Sequence, residues 1–221
     1  MDKKPLVAIT GASSGIGEST ARAFSAAGHP LLLMARRLDR LKALNLPNAV
    51  LRQVDVRDRA GIAAAVADAE AEHGPVDMMF ANAGIARLGD IAKQPAEDWD
   101  EMIDINVKGV MNTVHAVMNG MIERKQGTLV MMSSIAGRKV YPDHTVYCGT
   151  KFFVHAVSES LREYLAPHDV RVIVLSPGII DTEVLDHVKD ETTLANYKAN
   201  KSAIGGGIPA DAAPGFGLAG M

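Results

Sequence analysis

A doubly wound parallel sheet flanked by helices, the α/β class in a single domain, is what this sequence predicts, and three observations predict it. Short apolar runs of about five residues alternate with longer stretches of helical spacing. The runs are too uniformly apolar for a half-exposed sheet, which marks strands covered on both faces. Finally, the 221 residues contain no internal repeat, long linker or second compositional block large enough to be another domain.

Leu6–Thr10 is the first expected strand, and it runs straight into glycine-rich sequence where a helical pattern starts. Pro30–Met34, Val50–Val54 and Val76–Ala81 follow as strands two to four. Trp99, Met102, Ile103, Val107, Val110, Val114, Val117, Met118 and Met121 then trace one continuous apolar helical stripe. Thr128–Met132 and Val170–Leu175 are the fifth and sixth strands. Repeated strand–helix–strand units need right-handed crossovers, which puts helices on both faces. After about Ala203 glycine, alanine and proline dominate, without strand or amphipathic pattern. The domain is therefore expected over residues 1–203, with an irregular or disordered tail over 204–221.

Composition excludes several classes. A formal net charge of −3 leaves no basic footprint for nucleic acid or anionic membrane. The one cysteine, Cys148, rules out an internal disulfide framework and suits a reducing compartment. His115, His144 and His155 have no metal-ligand spacing, so no metal is expected. Met1–Thr10 holds too few apolar residues for a signal peptide, and no run approaches the ~20 apolar residues of a membrane span. A cytoplasmic protein is the expectation.

The first strand leads into Thr10-Gly11-Ala12-Ser13-Ser14-Gly15-Ile16-Gly17. A parallel strand turning sharply into a helix needs residues without a Cβ, and so does a pyrophosphate approaching the backbone. The helix N-terminus adds free N–H groups and a positive dipole end. Three glycines would also suit a ligand-free turn, but their place between a buried strand and a helix favours a dinucleotide. At the end of the second strand, where an NAD-binding fold places an acid for the ribose 2′-hydroxyl, the chain reads Ala35-Arg36-Arg37. Guanidinium groups pair with a phosphate dianion that an acid would repel, so NADP(H) is the expected cofactor.

Beyond the fifth strand, Ser134 is followed thirteen residues later by Tyr147, with Lys151 one helical turn further on. Positions i and i+4 share a helix face. A phenol of pKa near 10 is a poor acid–base group at neutral pH, and a neighbouring ammonium lowers that pKa. Ser134 is placed to hold a substrate oxygen. Cys148 has no base aimed at it and is not expected to act as a nucleophile.

These residues, with Asp55, Asn82-Ala83-Gly84, Asn106-Val107-Lys108-Gly109 and Pro177-Gly178-Ile179-Ile180-Asp181-Thr182, resemble the short-chain dehydrogenase/reductase family, from about residue 5 to residue 185. The resemblance implies a Rossmann fold and a catalytic tetrad of Asn106, Ser134, Tyr147 and Lys151. In similar enzymes the lysine also bonds the nicotinamide ribose, and the asparagine holds a proton-relaying water. Asn106 falls on the apolar stripe, where a polar side chain needs a specific partner. The cofactor contacts implied are Gly11, Ser13, Ser14, Gly15, Ile16 and Gly17 at the phosphates, and Asp55 with Val56 at the adenine end. Asn82, Ala83 and Gly84 would lie beside the cofactor, with Pro177, Gly178, Ile180 and Thr182 near the nicotinamide. Tyr147 and Lys151 would touch it too.

Family members usually add a helix and a seventh strand beyond this point, so the last strand is expected to be missing here. Helices near 99–122 and 146–165 are intact, and a homodimer through them is expected, with a tetramer left open. The expected function is hydride transfer between NADP(H) and a small-molecule carbonyl or secondary alcohol, with Tyr147 as acid or base. One alternative is a 3-oxoacyl-carrier-protein reductase, for which Arg124, Lys125, Arg138 and Lys139 would supply a basic docking surface. Another is a truncated NADP-binding protein with impaired catalysis. Ile85, Arg87, Ile135, Tyr141, His144 and Val184 onward are the expected substrate pocket, and they select no substrate class.

Overall fold

The computed structural model describes residues 4–183, 188, 190–203 and 205–210. The central sheet is built from β1 (Leu6–Thr10), β2 (Leu31–Ala35), β3 (Ala49–Gln53), β4 (Val76–Ala81), β5 (Gly127–Met132) and β6 (Val170–Leu175). All neighbours are parallel, in the order β3-β2-β1-β4-β5-β6. The expected second and third strands move by one residue. Val54 still donates its N–H to the Ala35 carbonyl at 3.0 Å, so the ladder reaches past the formal end of β3.

Helices α1 (Gly15–Ala26) and α2 (Leu38–Ala43) cover one face of the sheet. On the other lie α3 (Arg59–His73), α4 (Ala96–Ile103), α5 (Gly109–Arg124) and α6 (Thr145–Leu165). Strand alternation sorts the side chains between two cores. Leu6 and Ala8 join Ile62, Val114, Val117 and Met121, whereas Val7 and Ile9 join Ala21, Phe24 and Leu41. Burial on both faces accounts for the uniformly apolar runs of the sequence.

The predicted stripe over 99–121 is interrupted. A π-helical turn, Asp104–Lys108, joins α4 to α5, and Ile105 and Asn106 are both buried within it. The wider turn shifts the buried face of the stripe and brings Asn106 inward beside Ile105. Gly109 follows, where a Cβ would lie 2.6 Å from Val56, so the bare backbone lets the helix close onto the β3–α3 connection.

Strand order reverses between β1 and β4, which opens a crevice at their C-terminal ends. Among the described residues β6 is the outermost strand on its side, so the sheet has six strands without a seventh. Beyond it come β7 (Ile180–Asp181), α7 (Glu191–Ala203) and β8 (Ile208–Pro209), with β7 and β8 forming a separate two-residue parallel pairing. Of that pairing, β8 falls in the segment expected to be irregular, whereas β7 falls within the expected domain. Residues 204 and 211–221 of the expected tail, and Val184 of the expected pocket, lie outside the described residues.

Candidate active site

The glycine loop leaves β1 at the crevice. Gly11 and Gly15 adopt φ of +67° and +55°, in the left-handed region that side chains disfavour. A Cβ on Gly17 would lie 2.3 Å from the Gly11 carbonyl oxygen. The loop is gripped from behind by the residues after β4. Asn82 Nδ2 donates to the carbonyls of Thr10 (3.0 Å) and Gly11 (3.3 Å), while Thr10 Oγ1 accepts the N–H groups of Asn82 (3.1 Å) and Ala83 (3.2 Å). Ser14 precedes α1 without a capping side-chain bond, so the first-turn N–H groups keep their anion-binding character. A dinucleotide pyrophosphate fits this bare-backbone cradle. Ser13 is buried and Ile16 packs on the α1 side of the core.

At the end of β2 the two arginines diverge. Arg36 is exposed, and its carbonyl accepts Gln53 Nε2 at 3.0 Å. Arg37 turns to the loop and donates to Ser14 Oγ (2.9 Å) and Ser13 Oγ (3.4 Å). Its other terminal nitrogen, with Arg40, holds Glu183 from the far end of the chain. Asp55 follows β3 with both carboxylate oxygens engaged by Arg57 at 2.6–3.0 Å, which holds its pKa below the ordinary value. Val56 is buried against Gly109, and its carbonyl accepts Asn112 Nδ2 at 2.9 Å.

On the β5 side, Ser134 caps a short 3-10 turn, its Oγ accepting the Ala136 N–H at 3.1 Å. Tyr147 and Lys151 open α6 on one face, with the Lys151 Nζ 5.6 Å from the Tyr147 ring centre. Lys151 is buried and donates to the Met132 carbonyl at 3.0 Å, and desolvation lowers its pKa to about 8. Burial pushes the Tyr147 phenol up to about 12, against a smaller downward pull from its hydrogen bond with Ser134. The expectation that Lys151 keeps the phenol acidic is therefore corrected. Desolvation of the phenol dominates, and the Lys151 ammonium is directed at the Met132 carbonyl.

Asn106 is fully buried and spends its amide on structure. Oδ1 accepts the Ile85 N–H at 2.9 Å, and Nδ2 donates to the Ile85 carbonyl (2.9 Å) and Thr150 Oγ1 (3.2 Å). A Cβ on Gly84 would stand 3.3 Å from Asn106 Oδ1 and 3.6 Å from Lys151 Nζ, so these three residues meet at one point. Cys148 is buried with its thiol pKa raised by desolvation, the opposite of an activated nucleophile.

Around the mouth, His144 stacks between Tyr141 (5.2 Å between ring centres) and Tyr147 (6.2 Å), and Ile135 is exposed. Arg87 is bound to Glu101 at 2.7 Å. Pro177, Gly178 and Ile180 line a cavity of about 180 Å³ with Ile16 and Met132. A larger one, about 540 Å³, runs from Gly15 past Thr182 and Glu183 to Tyr197 and Lys201. Tyr197, packed beside Tyr147, and Glu183 were not singled out by sequence. Both come from segments without strong periodicity, and no local pattern marks them. Arg124 and Lys125 close α5 before β5 starts, whereas Arg138 and Lys139 follow its end. The strand places the two basic pairs at opposite ends of β5.

Residues 5–193 match the family model for short chain dehydrogenases. An uncharacterized oxidoreductase of Staphylococcus saprophyticus is 38% identical over 195 residues, covering 86% of this chain and 79% of that protein. The NADP-dependent 3-hydroxy acid dehydrogenase of Salmonella typhimurium is 39% identical over 179 residues, covering 79% of this chain and 72% of that protein. Among solved structures, the closed form of a serine dehydrogenase complexed with NADP+ aligns with a TM-score of 0.84 and 34% identity, over 93% of this chain and 84% of that one.

Proposed function

Since the chain belongs to the short chain dehydrogenase family, we propose that it transfers hydride between NADP(H) and a small carbonyl or secondary-alcohol substrate, with Tyr147 as the acid–base group. One observation carries the reading. The bare glycine cradle and the Ser134–Tyr147–Lys151 cluster open on the same end of the sheet, on either side of the crevice between β1 and β4. When bound there, the nicotinamide supplies or accepts the hydride.

The chain's own residues handle the rest. The glycine loop and the α1 N-terminus hold the pyrophosphate, and Arg37 with Ser13 receives the 2′-phosphate. Ser134 Oγ accepts the Ala136 N–H, and its own O–H, which pairs with the Tyr147 phenol, turns to the substrate oxygen when one is bound. For carbonyl reduction a phenol at about 12 is in the protonated form required, and Tyr147 gives that proton to the developing alkoxide. The Lys151 ammonium stabilises the phenolate left behind. In alcohol oxidation the same proton travels the other way. Asn106 acts through Ile85 and Thr150 and positions the site.

A homodimer through α4, α5 and α6 agrees with the exposed Ile103 on α4 and Phe152 and Tyr164 on α6. The single cysteine, free and buried, supports a cytoplasmic location; no helix among the described residues is long and apolar enough to cross a membrane. Calorimetric titration with NADPH and NADH, followed by turnover on a panel of ketones, aldehydes and 3-hydroxy acids, tests the assignment. Tighter binding of NADPH with turnover on at least one class supports it. Equal or tighter binding of NADH overturns the cofactor reading, and binding without any turnover overturns the catalytic one.

A further inference from the structure

Arg37, which contacts the glycine loop, and Arg40 beside it already hold an anion. Glu183 reaches across the crevice from a position 146 residues away, and its carboxylate accepts from Arg37 Nη1 (3.1 Å) and Arg40 Nη1 (2.6 Å). The opposite nitrogen of Arg37 is bound to Ser14 and Ser13 hydroxyls. Two guanidinium groups thus hold one negatively charged group, and Arg37 is anchored beside the loop by two hydroxyls, an arrangement that suits a phosphate.

The backbone carries Glu183 to this place. Ile180 and Asp181 pair with Ile208 and Pro209, and Lys201 binds Asp181 at 2.5 Å. Next in the chain, the Thr182 methyl lies 3.0 Å from where a Gly15 Cβ would be, directly against the glycine loop. Glu183 follows at the rim of the 540 Å³ cavity.

We propose that Glu183 is a cofactor-specificity residue whose carboxylate competes with the 2′-phosphate of NADP(H) for Arg37 and Arg40. The inference rests on the reading that Arg37 receives that phosphate. Glu183 and both arginines are about 42–43% exposed on their side chains, so the internal pair is solvent-screened and weak enough to be displaced. A phosphate dianion carries more charge than a carboxylate and displaces it. The 2′-hydroxyl of NADH carries none and leaves Glu183 in place. Self-occupancy lowers the apparent affinity for NADPH by the fraction of molecules in which the arginines are free. Removing the rival charge therefore tightens NADPH and spares NADH.

The test is calorimetric binding of NADPH, NADH and 2′,5′-ADP to the full chain and to Glu183→Gln and Glu183→Ala, with thermal melts to confirm folding. Both variants are expected to bind NADPH and 2′,5′-ADP about three- to tenfold more tightly, with NADH unchanged within about twofold. Unchanged NADPH affinity overturns the proposal. Weakened affinity also overturns it and makes Glu183 a latch that holds the segment closed over the cofactor. Failure of the wild type to bind 2′,5′-ADP instead refutes the parent reading of Arg37. Binding by the wild type with no gain in the variants refutes the competition alone.

Discussion

Asn106 holds both polar groups of the Ile85 backbone, accepting its N–H and donating to its carbonyl, each at 2.9 Å. The π-helical turn makes this possible by bringing Asn106 inward beside Ile105. Through this clamp the loop after β4 is fixed against α6, because the same amide reaches Thr150 one residue before Lys151. Asn106→Leu keeps the branched shape but leaves the Ile85 N–H and C=O buried without partners. A loss of about 2–4 kcal/mol in denaturant unfolding is expected, with reduced turnover in whatever protein remains folded. A loss below about 0.5 kcal/mol would mean that the loop is held by something else.

Much of this architecture is legible from local pattern. The four inner strands show as apolar runs because a sheet buried on both faces tolerates little else, and the glycine loop shows because its backbone approaches leave no room for a Cβ. Tyr147 and Lys151 are legible through helical spacing taken together with Ser134 and the glycine loop, since the spacing by itself occurs on many helices. The π turn is not, since the stripe from Trp99 to Met121 fits a regular helix equally well on paper. Nor is the Tyr147 pKa: an i+4 lysine suggests an acidic phenol, while the opposite result comes from burial by chain segments distant in sequence, Tyr197 among the neighbours. Glu183 is hidden for the same reason, as its partners lie more than a hundred residues upstream.

Tyr147→Phe removes the transferable proton and keeps the ring. Turnover is expected to fall by more than about a hundredfold, while NADPH affinity by calorimetry stays within about threefold. A variant that keeps wild-type turnover refutes the acid–base role.

Lys151 burdens folding at neutral pH. Its ammonium has a pKa near 10.4 in the unfolded chain and about 8 in the fold, so the native state binds fewer protons between those values. The cost is fully present below about pH 8, fades as pH rises from there towards the unfolded value, and is gone above it. Lys151→Met should raise stability at pH 7 by about 2 kcal/mol, the gain tempered by the lost bond to Met132, and it should abolish turnover. Unfolding at pH 7 and pH 10 checks the sign: the gain must shrink at the higher pH. A destabilised variant at pH 7 would show that the Met132 bond outweighs the desolvation.

The pH dependence of carbonyl reduction follows from which of the two groups titrates in the working range. Tyr147, at about 12, stays protonated and ready to donate throughout. Lys151, at about 8, does not stay charged, and only its cationic form stabilises the phenolate that proton donation creates. The reductive kcat/KM should therefore be level from about pH 6 to 7.5 and fall about tenfold per unit well above pH 8. Alcohol oxidation needs the phenol ionised, so its rate should rise with pH over the lower part of the same range. Profiles measured in both directions on one substrate decide the matter. A reductive profile level to pH 10 would show that the lysine charge is dispensable, and a reductive rate that climbs with pH would remove Tyr147 as the proton donor.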